Sequence, residues 1–208
     1  MSGRYGRGQR TLEIFSIALF ALLSAYSLLR MAAATGTWFP VVAAVASLAG
    51  WMASDLLSGI AHWIFDSFGS VNTPIIGKAL IRPFREHHVD PEKMTRHDFV
   101  ETHGASCFAS LPLLVGASAM TPESAAAVLV QSVLLFTALG ALATNQCHKW
   151  AHMDDAATPR LVRWAQRRWI VLPREHHRLH HTSPFDTHFC MSSGWFNRAF
   201  NYVLRAWR

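Results

Sequence analysis

Apolar residues in this chain come in runs too long for the core face of an ordinary soluble helix. Residues 14–34 form the first run, interrupted only by Arg30 near its end. The connector 35–40 leads into a second run at 41–65, and further runs occupy about 105–120 and 125–147. About 20 apolar residues make a helix that crosses a bilayer, so the pattern predicts four spans. A cleaved signal peptide would be shorter and would release a soluble domain, whereas here the first run leads straight into the second. Between and after these runs the pattern turns polar, at 66–104 and from 148 onward.

Composition and charge sharpen this picture. Hydrophobic residues make up 51% of the 208 residues and charged residues only 15%, which fits a membrane protein better than a soluble one. The net charge of +6 would suggest a nucleic-acid partner in a soluble chain. Here the basic residues flank apolar runs, so anionic lipid headgroups are the expected counterpart and no nucleic acid is expected. Arg4, Arg7 and Arg10 precede the first run. Lys78, Arg82, Arg85, Lys93 and Arg96 lie between the second and third, and all the others except Arg30 follow the fourth. The connectors 35–40 and 121–124 carry no Lys or Arg. The positive-inside rule then puts both termini and both polar regions in the cytoplasm, with Arg30 snorkelling to the far interface. The eight tryptophans, Trp38, Trp51, Trp63, Trp150, Trp164, Trp169, Trp195 and Trp207, mostly flank the runs as an interfacial belt would. The expected fold is all-α: one domain over 1–208, an integral membrane four-helix bundle with a cytoplasmic histidine-rich cap.

The polar regions hold all twelve histidines apart from His62, which falls at the end of the second run. They group as REHH (85–88), HKWAH (148–152) and EHHRLHH (175–181). Neutral imidazole is the commonest metal ligand, and these sets exceed the four ligands of one zinc site. In HKWAH, His148 and His152 share a helix face one turn apart, with Asn145 three residues earlier. His176, His177, His180 and His181 form two such pairs side by side, so one helix turn can address two metals. Asp55 lies deep in the second run, where a carboxylate is costly and marks function. Asp66, Asp90, Asp98 and Glu101 are placed to orient the far nitrogens of ligating imidazoles. Lys78, Arg82 and Arg85 are expected to hold a lipid phosphate. His103 and His188 read as surface residues. The two halves also look alike: Ala61-His62 is followed by P-x-R-E-H-H, and Ala151-His152 by P-R-E-H-H, which suggests a repeat with one metal per half.

Imidazole suits zinc, copper, iron and nickel alike, so ligand type does not choose the metal. GxSxG, HExxH, GxGxxG and CxxCH are all absent, and three scattered cysteines suggest neither a disulfide framework nor an iron–sulfur site. A redox enzyme with this sequence must take its electrons from another protein.

DLLSGIAHWIFDSFGS (55–70), IRPFREHHVDPEKMTRHDFVETHG (81–104), NQCHKWAHM (145–153) and LPREHHRLHHTSPFDTHFCMSSGW (172–195) resemble the plasmanylethanolamine desaturase family, which also includes a plant plastid acyl desaturase branch. The resemblance implies a membrane di-iron oxidoreductase that uses O2 and two external electrons. Such an enzyme converts a 1-O-alkyl ether phospholipid into its 1′-2′ vinyl ether, a plasmalogen. The metal ligands it implies are His62, His87, His88, His97, His148, His152, His176, His177, His180 and His181, with zinc as a substitute for iron in purified protein. It also implies a membrane phospholipid substrate and an electron donor such as cytochrome b5 or a ferredoxin-type protein. No fused extra domain and no targeting peptide are expected, and the Ala- and Arg-rich composition favours a bacterial inner membrane over the endoplasmic reticulum. Two rivals stand beside this reading: an acyl desaturase or hydroxylase of the same architecture, and a membrane metal-binding regulator or carrier without catalysis. A carrier would string its ligands along a path within the spans, whereas these collect in the polar regions.

Overall fold

A computed structural model describes residues 6–74 and 76–207, excepting the side chains of residues 78, 79 and 207. The expected placements of Arg4, Arg208 and the side chains of Lys78 and Trp207 fall outside these. The described residues are helical, with no strand among them. The long helices are α1 (Arg7–Thr35), α2 (Phe39–Ser67), α4 (Phe99–Ala119) and α5 (Ala125–His152). Shorter ones are α3 (Arg82–Val89), α6 (Arg160–Arg167), α7 (Arg174–His180) and α8 (Asn197–Trp207). Two helical stretches, Arg7–Ser67 and Ala125–His152, are long and apolar enough to cross a membrane.

The helices begin and end where local chemistry dictates. Gly36, at φ 52, closes α1 and donates its N–H to the carbonyl of Ala32. α4 starts six residues before the apolar run it carries, because Asp98 and Glu101 form a capping box that satisfies its first donors. Pro112 sits inside α4 without ending it. α2 and α5 both continue past their apolar runs, so that Asp66, one turn after His62, and both His148 and His152 lie on regular helix.

The chain divides into two compact units. The first comprises Met1–Ser54 and Asp98–Asn145. Its core includes Phe20, Cys107, Leu114, Leu135 and Ala138. Helices approach closely here: a Cβ on Gly50 would lie 2.5 Å from the backbone of Phe136, and one on Gly140 2.5 Å from Ser54 Oγ. Small residues at such crossings are the usual device of helix packing in lipid. The polarity of this unit is inverted, since Ser16, Ser27, Gln131, Ser132 and Thr137 are buried while Phe15, Leu22, Leu29, Val41 and Val45 are exposed. Arg30 does not simply snorkel. Its guanidinium donates to the carbonyls of Ser118 (2.6 Å) and Met120 (2.7 Å), satisfying the end of α4. His103 is likewise no surface residue: it is 7% exposed, its Nδ1 donates to the carbonyl of Leu142, and its ring packs on Phe99.

The second unit, Asp55–His97 with Gln146–Arg208, holds nearly every histidine. Ala151, Leu172 and Met191 form a small core within it. Asp55 organises its last segment. Oδ1 accepts the N–H groups of Ser192 (3.0 Å), Ser193 (2.8 Å) and Gly194 (3.0 Å), and Oδ2 accepts that of Phe196 (3.3 Å). A fully buried carboxylate is tolerated where several donors converge on it. Gly194 suits this turn, because its φ is 78 and a Cβ there would lie 2.8 Å from the His176 ring.

Candidate metal centre

Two groups of side chains converge in the second unit. His87, His148, His152, His177 and His181 form one, and His62, Asp66, His88 and His180 the other. Within each group the potential ligand atoms all lie within 4.8 Å of one another. Every expected ligand is therefore gathered except His97 and His176. His97 follows the 3₁₀ turn Pro91–Arg96, and its carbonyl accepts the Lys149 ammonium at 2.6 Å. The His176 ring turns to Asn197 (Nε2 to Nδ2, 3.0 Å), with Trp169 and His188 against it.

Helix geometry explains how the groups are assigned. His148 and His152, one turn apart on α5, enter the first group together. His177 and His181 do the same from α7 and its cap, while His180, between them in sequence, faces the second group. One turn of α7 thus addresses both groups, as expected, although His176 and His180 do not act as a pair. Adjacent residues on α3 also split, His87 to the first group and His88 to the second. Each half supplies the larger part of one group, although the halves do not remain separate. Each group takes most of its members from one half and one histidine from the other. The groups are neighbours, with ring centroids of His88 and His181 5.0 Å apart and those of His62 and His148 6.0 Å apart.

In the first group the nitrogens face each other. Nε2 of His152 lies 3.0 Å from that of His87, 2.7 Å from that of His177 and 3.3 Å from that of His148, and His177 and His181 are 3.1 Å apart. Five such atoms cannot all be satisfied by donating to one another, whereas a cation among them would satisfy every lone pair. The second group is clearer still. His180 Nδ1 lies 2.7 Å from the carbonyl of Thr187, an acceptor only, so Nδ1 carries the proton. The neutral ring then points the Nε2 lone pair at His62 Nε2 (3.1 Å) and Asp66 Oδ2 (3.5 Å). The same carboxylate oxygen lies 3.2 Å from His62 Nε2 and 3.1 Å from His88 Nε2. Acceptor facing acceptor in a buried site is the arrangement a metal cation resolves, so the donor set fits a metal.

Burial holds these imidazoles in the form a metal needs. It pushes His87 down to about 2, with the neighbouring His152 adding to the effect, His180 to about 3 and His181 to about 4. His177 is lowered by the same cause. Aromatic rings close the surroundings: Phe84 and Phe189 pack on His62, and Phe185 on His88. The buried Nδ1 atoms of His88 and His177 have no hydrogen-bond partner.

Of the carboxylates and amide expected to orient ligands, only Asp66 touches them, and it does so as a member of a group. Asp55 anchors the 192–196 backbone. Asp90 pairs with Arg96 at 3.7 Å, and Asn145 donates to the carbonyl of Thr102. Asp98 and Glu101 cap α4, and the Arg10 guanidinium, 2.7 Å away, holds the Asp98 carboxyl below its usual range. Arg82 faces Glu86 (3.7 Å), while Arg85 donates to the carbonyls of Phe68 and Gly69. Thr187, Asn197 and the phenylalanine walls escaped the sequence reading, because backbone acceptors and apolar neighbours leave no spacing signature.

Comparison with known proteins agrees with this geometry. Residues 51–208 match the lipid desaturase domain family. The chain is 42% identical over 201 residues to a plasmanylethanolamine desaturase of Myxococcus xanthus, covering 96% of this chain and 70% of that protein. It is 39% identical over 214 residues to plasmanylethanolamine desaturase 1 of Mus musculus, covering 100% of this chain and 78% of that protein. Fatty acid desaturase 4-like 1, chloroplastic, of Arabidopsis thaliana is 30% identical over 159 residues, 74% of this chain and 51% of its own length. No solved structure matches. The match extends over the whole stretch that carries both histidine groups, and the chain belongs to the lipid desaturase domain family.

Proposed function

We propose that the protein is an O2-dependent desaturase that forms the 1′-2′ vinyl ether bond of ether phospholipids. The observation that carries this reading is the pair of adjacent histidine groups, inside a domain shared with plasmanylethanolamine desaturases. The reaction removes one hydrogen from each of two neighbouring carbons, takes two electrons from an external donor, and reduces O2 to two waters with two further protons.

His87, His148, His152, His177 and His181 would hold one iron, and His62, Asp66, His88 and His180 the other. Bound there, the metals supply the O2-activating redox chemistry that side chains lack. The rest falls to the chain itself. The Thr187 carbonyl fixes the His180 tautomer and so directs its Nε2 into the site. Burial keeps the ring nitrogens unprotonated at neutral pH, so none of them serves as the acid or base. Asp66 brings a negative charge to one group only, which makes the two sites electronically unequal. Phe84 and Phe189 pack on His62 and help to keep water from that side of the centre. Single-domain organisation over 1–208, four spans, a cytoplasmic site face, and an electron donor of the cytochrome b5 or ferredoxin type belong to the same proposal. So does a bacterial inner membrane, which the Ala- and Arg-rich composition favours.

Lipid analysis after expression in cells supplied with alkyl ether lipids tests the reading. Vinyl ether lipids should appear with the wild type and vanish with His148→Ala. New unsaturation or hydroxylation confined to acyl chains would instead favour an acyl desaturase or hydroxylase.

A further inference from the structure

Residues 187–196 run beside the second histidine group as an irregular strap between α7 and α8. At its start, the Thr187 carbonyl accepts the Nδ1 proton of His180 at 2.7 Å. Two residues on, the fully buried Phe189 packs its ring on those of His180 (5.2 Å between centroids) and His62 (6.0 Å). The strap therefore touches two imidazoles of one group, which come from different helices, α7 and α2. Two asparagines one turn apart on α8 grip its backbone. Asn197 is fully buried; its Oδ1 accepts the N–H of Cys190 (2.8 Å) and its Nδ2 donates to the carbonyl of the same residue (3.2 Å). Asn201 Oδ1 accepts the N–H of His188 at 2.9 Å. The strap is also pinned to α2 one turn before His62. Met191 donates its N–H to Ser58 Oγ (3.0 Å), and a Cβ on Gly59 would lie 2.5 Å from Cys190 Sγ.

We infer that Asn197 and Asn201 are positioning residues for the metal held by His62, Asp66, His88 and His180, and that His176 buttresses Asn197 and is not a ligand. The inference rests on the desaturase reading, in which both groups hold metal, and adds to it the residues that set one of the two sites. The bond from Nδ1 to Thr187 selects the tautomer and the ring orientation of His180. A carbonyl outside regular structure can do this only if its own segment is fixed. The asparagines fix that segment at 188 and 190, immediately beyond Thr187, whereas Asp55 takes hold only from Ser192 onward. An N–H can only donate and a carbonyl can only accept, so the two bonds to Cys190 decide which end of the Asn197 amide is which. Its Nδ2 then donates to His176 Nε2 at 3.0 Å, and His176 carries its own proton on Nδ1. The lone pair that His176 could have offered a metal is engaged by the clamp.

Cobalt(II) binding by the purified full chain, stripped of metal and titrated against a chelator, tests this. Outer partners of metal-bound histidines are worth about 10–100-fold in affinity. The wild type should bind two cobalt ions. Asn197→Ala should weaken one of them by about 10–100-fold and leave the other within about twofold. Asn201→Ala, which breaks one backbone bond, should weaken the same ion by less. His180→Ala and His177→Ala assign the ions, since the first disables the second group and the second disables the first. The cobalt absorption that survives in Asn197→Ala should match that of His180→Ala. His176→Ala should weaken the affected ion by no more than about tenfold, because the clamp loses one bond and the metal none. A merely structural role would lower both affinities together, or the melting temperature alone. Equal weakening of both ions in the asparagine variants, or no weakening, overturns the inference. So does a loss in His176→Ala as large as that in His180→Ala, which would make His176 a ligand. If Asn197→Ala does not fold, Asn201→Ala decides by the same criterion. A wild type that binds no cobalt at the second group overturns the inference together with the reading beneath it. If the second ion follows the asparagines while iron-loaded protein forms no vinyl ether, the clamp stands and the desaturase reading falls.

Discussion

At the level of single residues, the decisive fact is which imidazoles turn inward. The motifs EHHRLHH and TRH do not distinguish His176 and His97 from their neighbours, yet His176 faces Asn197 and His97 lies outside both groups. Replacing either with Ala should leave desaturation above about a tenth of wild type, because no metal-bound nitrogen is lost. His177→Ala should abolish it, and vinyl ether yield beside a melting curve separates the two classes. Protonation gives a second expectation at this scale. In metal-free protein the folded-state values of His87, His180 and His181, about 2, 3 and 4, lie below that of free histidine, about 6.5. Above that value both states are neutral and stability does not change. As pH falls below it the unfolded chain binds protons that the folded chain refuses, so stability drops by up to about 1.4 kcal/mol per pH unit for each imidazole. The melting temperature of the metal-free protein should be flat from pH 8 to about 6.5 and fall steeply towards pH 4. A flat profile down to pH 4 would mean that these rings are solvated.

The helices themselves were largely legible. Apolar runs marked α1, α2, α4 and α5, and the i, i+4 spacing of HKWAH placed His148 and His152 together. Helix ends were less legible, since α4 begins at a capping box that lies outside its apolar run. The role of Asp55 was not legible either. Depth in an apolar run signalled importance, but its partners are backbone N–H groups more than 130 residues away, and these carry no side-chain pattern. Asp55→Ala would orphan three buried donors and should cost more than about 3 kcal/mol. Hydrogen exchange at Ser192, Ser193 and Gly194 should rise well beyond that of the rest of the second unit. Equal protection in the variant would show that the segment is held by something else.

At the scale of the whole chain, the two halves looked like repeats, and the expected outcome was one metal for each. The groups exchange a histidine: His87 joins ligands from after residue 146, and His180 joins ligands from before residue 97. Sequence similarity between halves cannot show such an exchange, because it depends on which way adjacent residues of α3 and α7 point. The exchange also means that neither half supplies every member of a group. Everything proposed for catalysis depends on two metals bound side by side by these mixed sets. The most direct test is elemental analysis of purified full-length protein expressed with iron. Close to two bound metal ions per chain are expected, iron alone or with zinc in its place. A single ion per chain, or none, would contradict the account.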